Sequence, residues 1–329
     1  MINIQNIDEF IQKSEQKCQK QFEEIDKIAL YNQEKVLKAF QKNAVQARHF
    51  YGTTGYGYDD VGRDTLNRVF ADVFQCEDAI VSPMIMSGTH ALTLALFGIL
   101  RPGDTFLSIA GDLYDTLYDV IYGKNIGSLA DFNISFDKID LKNGAFDEEN
   151  IIKTIEKKRP KMVFIQRSRG YSWRDALSID AISDIIRKIR QKNKDIIVAV
   201  DNCYGEFIDY LEPTNVGADL IVGSLIKNAG GGIAPTGAYL AGKAEVIRQI
   251  SYRFTSPSIG NEIGSYLGGY LPFYQGLFMA PITVKNAVKG SILFGQVYND
   301  LGYETLPNPG VKCNDIIRSI KFDTEDELV

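Results

Sequence analysis

The chain has 329 residues, 45% of them hydrophobic and 24% charged, with a formal net charge of −6. That balance supports a large buried core and excludes a disordered class. Without an excess of Lys and Arg there is no electrostatic footprint for nucleic acid or an anionic membrane, which leaves small molecules and copies of the chain as partners.

From Asn6 to about Phe40, Phe10, Ile11, Cys18, Phe22, Ile25 and Ile28 recur at helical spacing among Glu, Gln and Lys, so residues 1–50 read as an N-terminal helical arm. A Gly- and Tyr-rich loop, Tyr51 to Thr65, leads into a helix through Leu66 to Phe74 and a strand over Ala79 to Val81. Strands then follow at Thr105 to Ile109, Met162 to Gln166, Ile196 to Val200, Leu220 to Ser224 and Ala238 to Ala241. Between them lie helical patterns at Ala91 to Leu100, Glu148 to Lys158, Ile179 to Lys192 and Lys243 to Tyr252. Short apolar strands alternating with helices predict an α/β fold with a mainly parallel sheet covered on both faces, spanning 51–270. LPFYQGLFMAP opens a different region, 271–329, in which Val284 to Val297 reads as a helix.

Cys18, Cys76, Cys203 and Cys313 show no CxxC spacing and read as reduced thiols. With His49 and His90 the only histidines, no metal site is expected. No apolar run reaches the roughly 20 residues of a membrane span, and the N-terminus lacks a signal-peptide segment, so the expected compartment is the cytoplasm. GAYLAGKA nearly spells a phosphate-binding loop, but Ala244 stands where Ser or Thr belongs, and it reads as a strand. GTTGYG lacks the glycine order and preceding strand of a dinucleotide site.

Asp201 and Lys227 each follow an apolar strand, where open parallel sheets present ligand groups at their carboxyl edge. Either alone reads more readily as a helix cap or a loop lysine. Together they suit pyridoxal 5′-phosphate (PLP), whose aldehyde forms a Schiff base with a lysine and whose ring nitrogen pairs with a carboxylate. SPMIMSGTHALTLAL puts Ser87, Gly88 and Thr89 at a helix start, where backbone N–H groups suit a phosphate; an ordinary Ser cap fits the same residues. Ser224 adds a hydroxyl in reach of that phosphate if the strand-end loop curls back. Arg167 and Arg169 follow a strand and suit either a substrate carboxylate or surface ion pairs.

GYGYDDVGRDTLNRVFADVF, SGTHALTLALFGILRPGD, GDLYDTLYDVIYG, IQRSRGYSWR, VDNCYGEF, GSLIKNAGGGIAPTGAYLAGK and YQGLFMAP cover most of Tyr51 to Pro281. They resemble fold-type-I PLP enzymes of the cysteine and methionine metabolism group, closest to the methionine gamma-lyase-related family linked to aluminium resistance. The resemblance implies an aminotransferase-like fold and a PLP-dependent carbon–sulfur lyase acting on a sulfur-containing amino acid. An aminotransferase would share Lys227 and Asp201. A non-catalytic PLP-fold protein is the other alternative, since 271–329 is short beside the C-terminal domain of such enzymes and Arg318 is its one late arginine. The same resemblance implies Tyr114 stacking on the cofactor and aiding proton transfer; a half-buried tyrosine at a helix start is the plain alternative. It also implies a homodimer or homotetramer in which Tyr56 or Tyr58 reaches a neighbouring subunit's phosphate. Asp60 stands where those relatives place an arginine, with Arg63 nearby.

Overall fold

The computed structural model describes residues 6–327. In chain order its elements are α1 (Ile7–Lys42), α2 (Val61–Val73), β1 (Asp78–Ser82), α3 (Gly88–Ile99), β2 (Thr105–Ser108), α4 (Tyr118–Tyr122), β3 (Ser135–Lys138), α5 (Glu148–Lys158), β4 (Met162–Gln166), α6 (Ile179–Lys192), β5 (Ile197–Asp201), β6 (Leu220–Ser224), β7 (Ala238–Gly242), α7 (Ala244–Phe254), α8 (Leu271–Asp300), β8 (Glu304–Leu306) and β9 (Ser319–Lys321). Seven strands form one sheet in the order β1-β7-β6-β5-β4-β2-β3. The pairings from β3 through β6 are parallel, and β7 runs antiparallel to both β6 and β1. The sheet is therefore mainly parallel with flanking helices, as the alternating pattern predicts.

Strand periodicity divides the core in two, because successive side chains leave opposite faces. On β4, Val163 and Ile165 join one apolar cluster while Met162 and Phe164 join the other. The first cluster takes residues of α1, α2, α5, α6 and α8; the second takes α3, α4 and α7. Strands buried on both faces have no need for polar alternation, so they appear in the sequence as unbroken apolar runs.

The arm and the last long helix pack on each other. In α1, Ser14, Cys18, Phe22, Ala29, Asn32, Val36 and Ala39 line a buried stripe at spacings of three, four and seven residues, and the helix starts where Asn6 accepts the Glu9 N–H at 3.2 Å. Lys17 pairs with Asp300 and Asp26 with Lys289, each at 2.7 Å, and Gln33 donates to the Phe278 carbonyl, so the two helices run antiparallel. Expected to begin at Val284, α8 instead runs unbroken from Leu271 with Pro281 inside it. The lost backbone bond at Pro281 is outweighed by burying Phe273, Tyr274, Leu277 and Ala280 in the core shared with α1.

Other boundaries move for local reasons. Helix α2 starts at Val61, five residues earlier than its apolar pattern suggests, because Asp60 accepts the N–H groups of Gly62 and Arg63, each at 3.0 Å. The strands β3, β8 and β9 are short and partly exposed, with no apolar run to announce them. The near-phosphate-loop GAYLAGKA lies on β7. Among the described residues no helix is long and apolar enough to cross a membrane.

Candidate functional site

A cleft of about 200 Å³ opens at the carboxyl edge of the sheet, lined by Ser87, Gly88, Thr89, Leu92, Tyr114, Gln166, Ser168, Gly170, Asp201, Cys203, Tyr204, Ser224, Ile226 and Lys227. The parallel register explains the gathering. Gln166 and Asp201 are the last residues of β4 and β5 and face each other in the ladder, and Ser224 ends β6 beside them. Residues far apart in sequence thus meet where strands stop and loops begin.

Lys227 follows β6 by three residues, its N–H donating to the Ser224 carbonyl at 3.2 Å, so the loop does curl back. Its Nζ lies 4.2 Å from the centre of the Tyr204 ring. Burial works against charge on this amine, but Cys203, Asp201 and Tyr204 act the other way and leave its pKa above the ordinary lysine value. The glycines after it serve the loop itself: a Cβ on Gly230 would lie 1.6 Å from the Leu225 carbonyl oxygen.

Asp201 is buried, and burial raises its carboxyl above the ordinary carboxylate range while the Lys227 amine and the Cys203 N–H pull it back. Its Oδ1 accepts that N–H at 3.1 Å. Burial likewise lifts the Cys203 thiol well above its usual value. The turn after Asp201 is strained, with Tyr204 and Phe207 both at positive φ. It is held from beneath: Arg167 Nη1 donates to Asn202 Oδ1 and the Gly205 carbonyl, both at 2.8 Å, and Glu212 accepts from Asn202 at 3.0 Å and from the Phe207 N–H at 2.9 Å.

At the opposite wall Ser87 caps α3, its Oγ accepting the His90 N–H at 3.1 Å while its carbonyl accepts from Ala91. The N–H groups of Gly88 and Thr89 remain at the cleft, at the positive end of a helix dipole. Ser224 Oγ is buried with no hydrogen-bond partner among the described residues, and so is Gln166 Oε1. Orphaned polar atoms of this kind mark a place for a polar ligand. Free amides, a free hydroxyl, a buried carboxylate and a lysine amine together match the donor set that PLP needs.

Tyr114 stands at the cleft mouth, partly exposed, with its ring stacked on that of Tyr171 and its hydroxyl 3.2 Å from the other. That hydrogen bond, with a smaller contribution from burial, pushes the Tyr114 pKa up to about 12. The structure does not bring Arg167 and Arg169 into the cleft. Arg167 is fully buried under the Asn202–Gly205 turn, and Arg169 reaches the Leu306 carbonyl at 2.7 Å. Tyr56 and Tyr58 are 75% and 63% exposed and do not line this chain's own cleft. Arg63 is committed outside the cleft, donating to the Gly57 carbonyl at 3.0 Å and to the carbonyls of Gly264 and Glu262 at 3.3 and 3.4 Å, and pairing with Asp64. Arg318 binds the Pro307 carbonyl and Ser291, outside the cleft. Cys203, Tyr204, Gln166, Ser168 and Tyr171 escape sequence reasoning, although Cys203 and Tyr204 directly follow Asp201 and Gln166 closes a clear strand. Their neighbours in the chain were the available signal.

A family model described as methionine gamma-lyase matches residues 7–329. The Bacillus subtilis (strain 168) protein YnbB is 46% identical over 310 residues, which make up 93% of this chain and 73% of that protein. Among solved structures, a carbon-sulfur lyase involved in aluminum resistance from Clostridium novyi NT is 48% identical with a TM-score of 0.95, over 97% of this chain and 77% of that one. The pyridoxal-5′-phosphate dependent protein YhfS from Escherichia coli shares the fold at 16% identity and a TM-score of 0.68, over 91% of this chain and 76% of its own.

Proposed function

Because the chain belongs to the methionine gamma-lyase family, we propose that it is a PLP-dependent carbon–sulfur lyase acting on a sulfur-containing amino acid by β- or γ-elimination. The observation that carries this reading is the meeting, in one cleft, of the Lys227 amine and the buried Asp201 carboxylate beside free N–H groups and an orphaned hydroxyl. When bound, PLP supplies an electron sink for the charge left on the substrate's α-carbon.

Lys227 would hold the cofactor through its amine and, once released, take the α proton. Asp201 would keep a proton on the ring nitrogen, and the positive charge so held would offset what burial costs the carboxylate. Gly88, Thr89 and Ser224 would bind the phosphate. Tyr114 would flank the ring at the cleft mouth and assist proton transfer. Tyr56 or Tyr58 would reach the phosphate of a second copy, in a homodimer or homotetramer. Breaking the carbon–sulfur bond, with one water consumed, yields a thiol, a 2-keto acid and ammonia.

Incubation of the PLP-loaded protein with a thioether amino acid, with no amino acceptor, is expected to release keto acid, ammonia and thiol in equal amounts. Keto acid that forms only when a second keto acid is supplied would replace this reading with transamination.

A further inference from the structure

Tyr171 lies in the loop between β4 and α6 and is 86% exposed, yet its ring does not stand free. Its centre lies 5.8 Å from that of Tyr114 with the planes at 25°, and the two hydroxyl oxygens are 3.2 Å apart. The backbone is shaped to put it there. Gly170 has φ +57, and a Cβ on it would press on Gln166 Nε2 at 3.3 Å and reach Tyr114 Cδ2 at 3.7 Å.

The loop is also pinned on both sides of its tip. Ser168 donates to the buried Asp315 at 2.9 Å, Arg169 reaches the Leu306 carbonyl, and Arg174 donates to the carbonyls of Gln166 and Ser168 at 3.2 and 3.0 Å. An exposed aromatic ring on an unheld loop would lose its orientation to side-chain entropy. Here a tied loop presents one tyrosine face-on to another at the entrance of the cleft.

Building on the lyase reading, we propose that Tyr171 is a positioning residue that fixes the Tyr114 phenol at the cleft mouth by stacking on its ring and accepting its hydroxyl in a hydrogen bond. The groups facing that phenol are Tyr171, the adjacent Asp115 and Lys227 across the cleft. Asp201, Cys203 and Tyr204 line the cleft behind them. Of these, the Tyr171 hydrogen bond does most to hold the Tyr114 proton, and Lys227 opposes it.

Tyr171→Phe keeps the ring and removes the hydroxyl. In the PLP-loaded variant the cofactor's visible absorbance and the substrate KM are expected to stay unchanged, while kcat falls roughly 3- to 10-fold, the scale of one neutral hydrogen bond. The alkaline limb of the kcat profile moves to lower pH. In a Tyr114→Phe background the same substitution has no further effect.

Ultraviolet titration of the phenolate gives a readout that needs no turnover. The difference between wild type and Tyr114→Phe isolates the Tyr114 ionisation, and the difference between Tyr171→Phe and the double variant isolates it without its partner; the second is expected to titrate at lower pH. Coincident titrations, or an unchanged alkaline limb in Tyr171→Phe, overturn the proposal. A wild-type protein that releases neither keto acid nor thiol defeats the lyase reading, while the titration pair still decides the role of Tyr171.

Discussion

The inner wall of the cleft and its rim are held by different physics. Asp201 and Ser224 end buried strands, and Lys227 follows three residues after β6, so backbone ladders and a two-faced core determine where they sit. At the rim, Tyr114 and Tyr171 hold each other through ring stacking and one hydroxyl contact; Tyr56 and Tyr58 lie outside this chain's own cleft with their side chains largely in solvent. Groups that must keep an unusual charge in a low-dielectric site need the first kind of support. Groups that adapt to a substrate or a second subunit tolerate the second.

The sharpest way to break this contrast is Lys227→Ala. It is expected to lower kcat by about 10⁴-fold and to abolish the cofactor's visible absorbance, measured on protein incubated with PLP. A variant that kept that absorbance would remove Lys227 from the inner wall.

Next in size is Arg167→Met, which strips the guanidinium from beneath the Asp201 turn and leaves Glu212 buried beside Asn202. Urea unfolding is expected to show a loss of about 3 kcal/mol, as for a broken buried pair. If Arg167 instead read the substrate carboxylate, stability would hold and KM alone would rise.

Glu206 tests how the wall carries buried charge. It is fully buried, hydrogen-bonded to the Tyr239 hydroxyl at 2.8 Å, and burial pushes its pKa from an ordinary 4.5 up to about 8. A raised folded-state value means that stability is greatest at low pH and is lost as pH rises through that window, because the unfolded chain releases its proton first. The advantage of Glu206→Gln over wild type in Tm is therefore expected to grow between pH 5 and 8, a window set by those two values; a constant difference would show that Glu206 ionises freely in the fold.

The smallest effect on stability belongs to the exposed loop of Tyr56 and Tyr58. Replacing Tyr56 and Tyr58 together by Ala is expected to change unfolding free energy by less than about 0.5 kcal/mol, as at other exposed sites, while weakening PLP binding in the assembled protein. PLP binding equal to wild type would detach this loop from the site.

Much of this was legible in the chain. Unbroken apolar runs such as Met162 to Gln166 and Leu220 to Ser224 announce strands covered on both faces, and the polar residues that end or follow them mark the ligand edge. Arg167 and Arg169 were the limit of that logic. Following a strand placed them near the edge, but only the fold shows their guanidinium groups turned down into the Asn202–Gly205 turn and toward Leu306.

Local pattern alone thus determined the α/β alternation, the candidate lysine and carboxylate, and the helix start at Ser87, because strand period, helix period and capping act over a few residues. The tertiary structure decided the strand order with its reversed β7, the helix that runs through Pro281, the orphaned hydroxyl of Ser224 and the stacking of Tyr171 on Tyr114. Those features depend on which distant surfaces meet, and their free energy comes from packing and desolvation that no short window of residues contains.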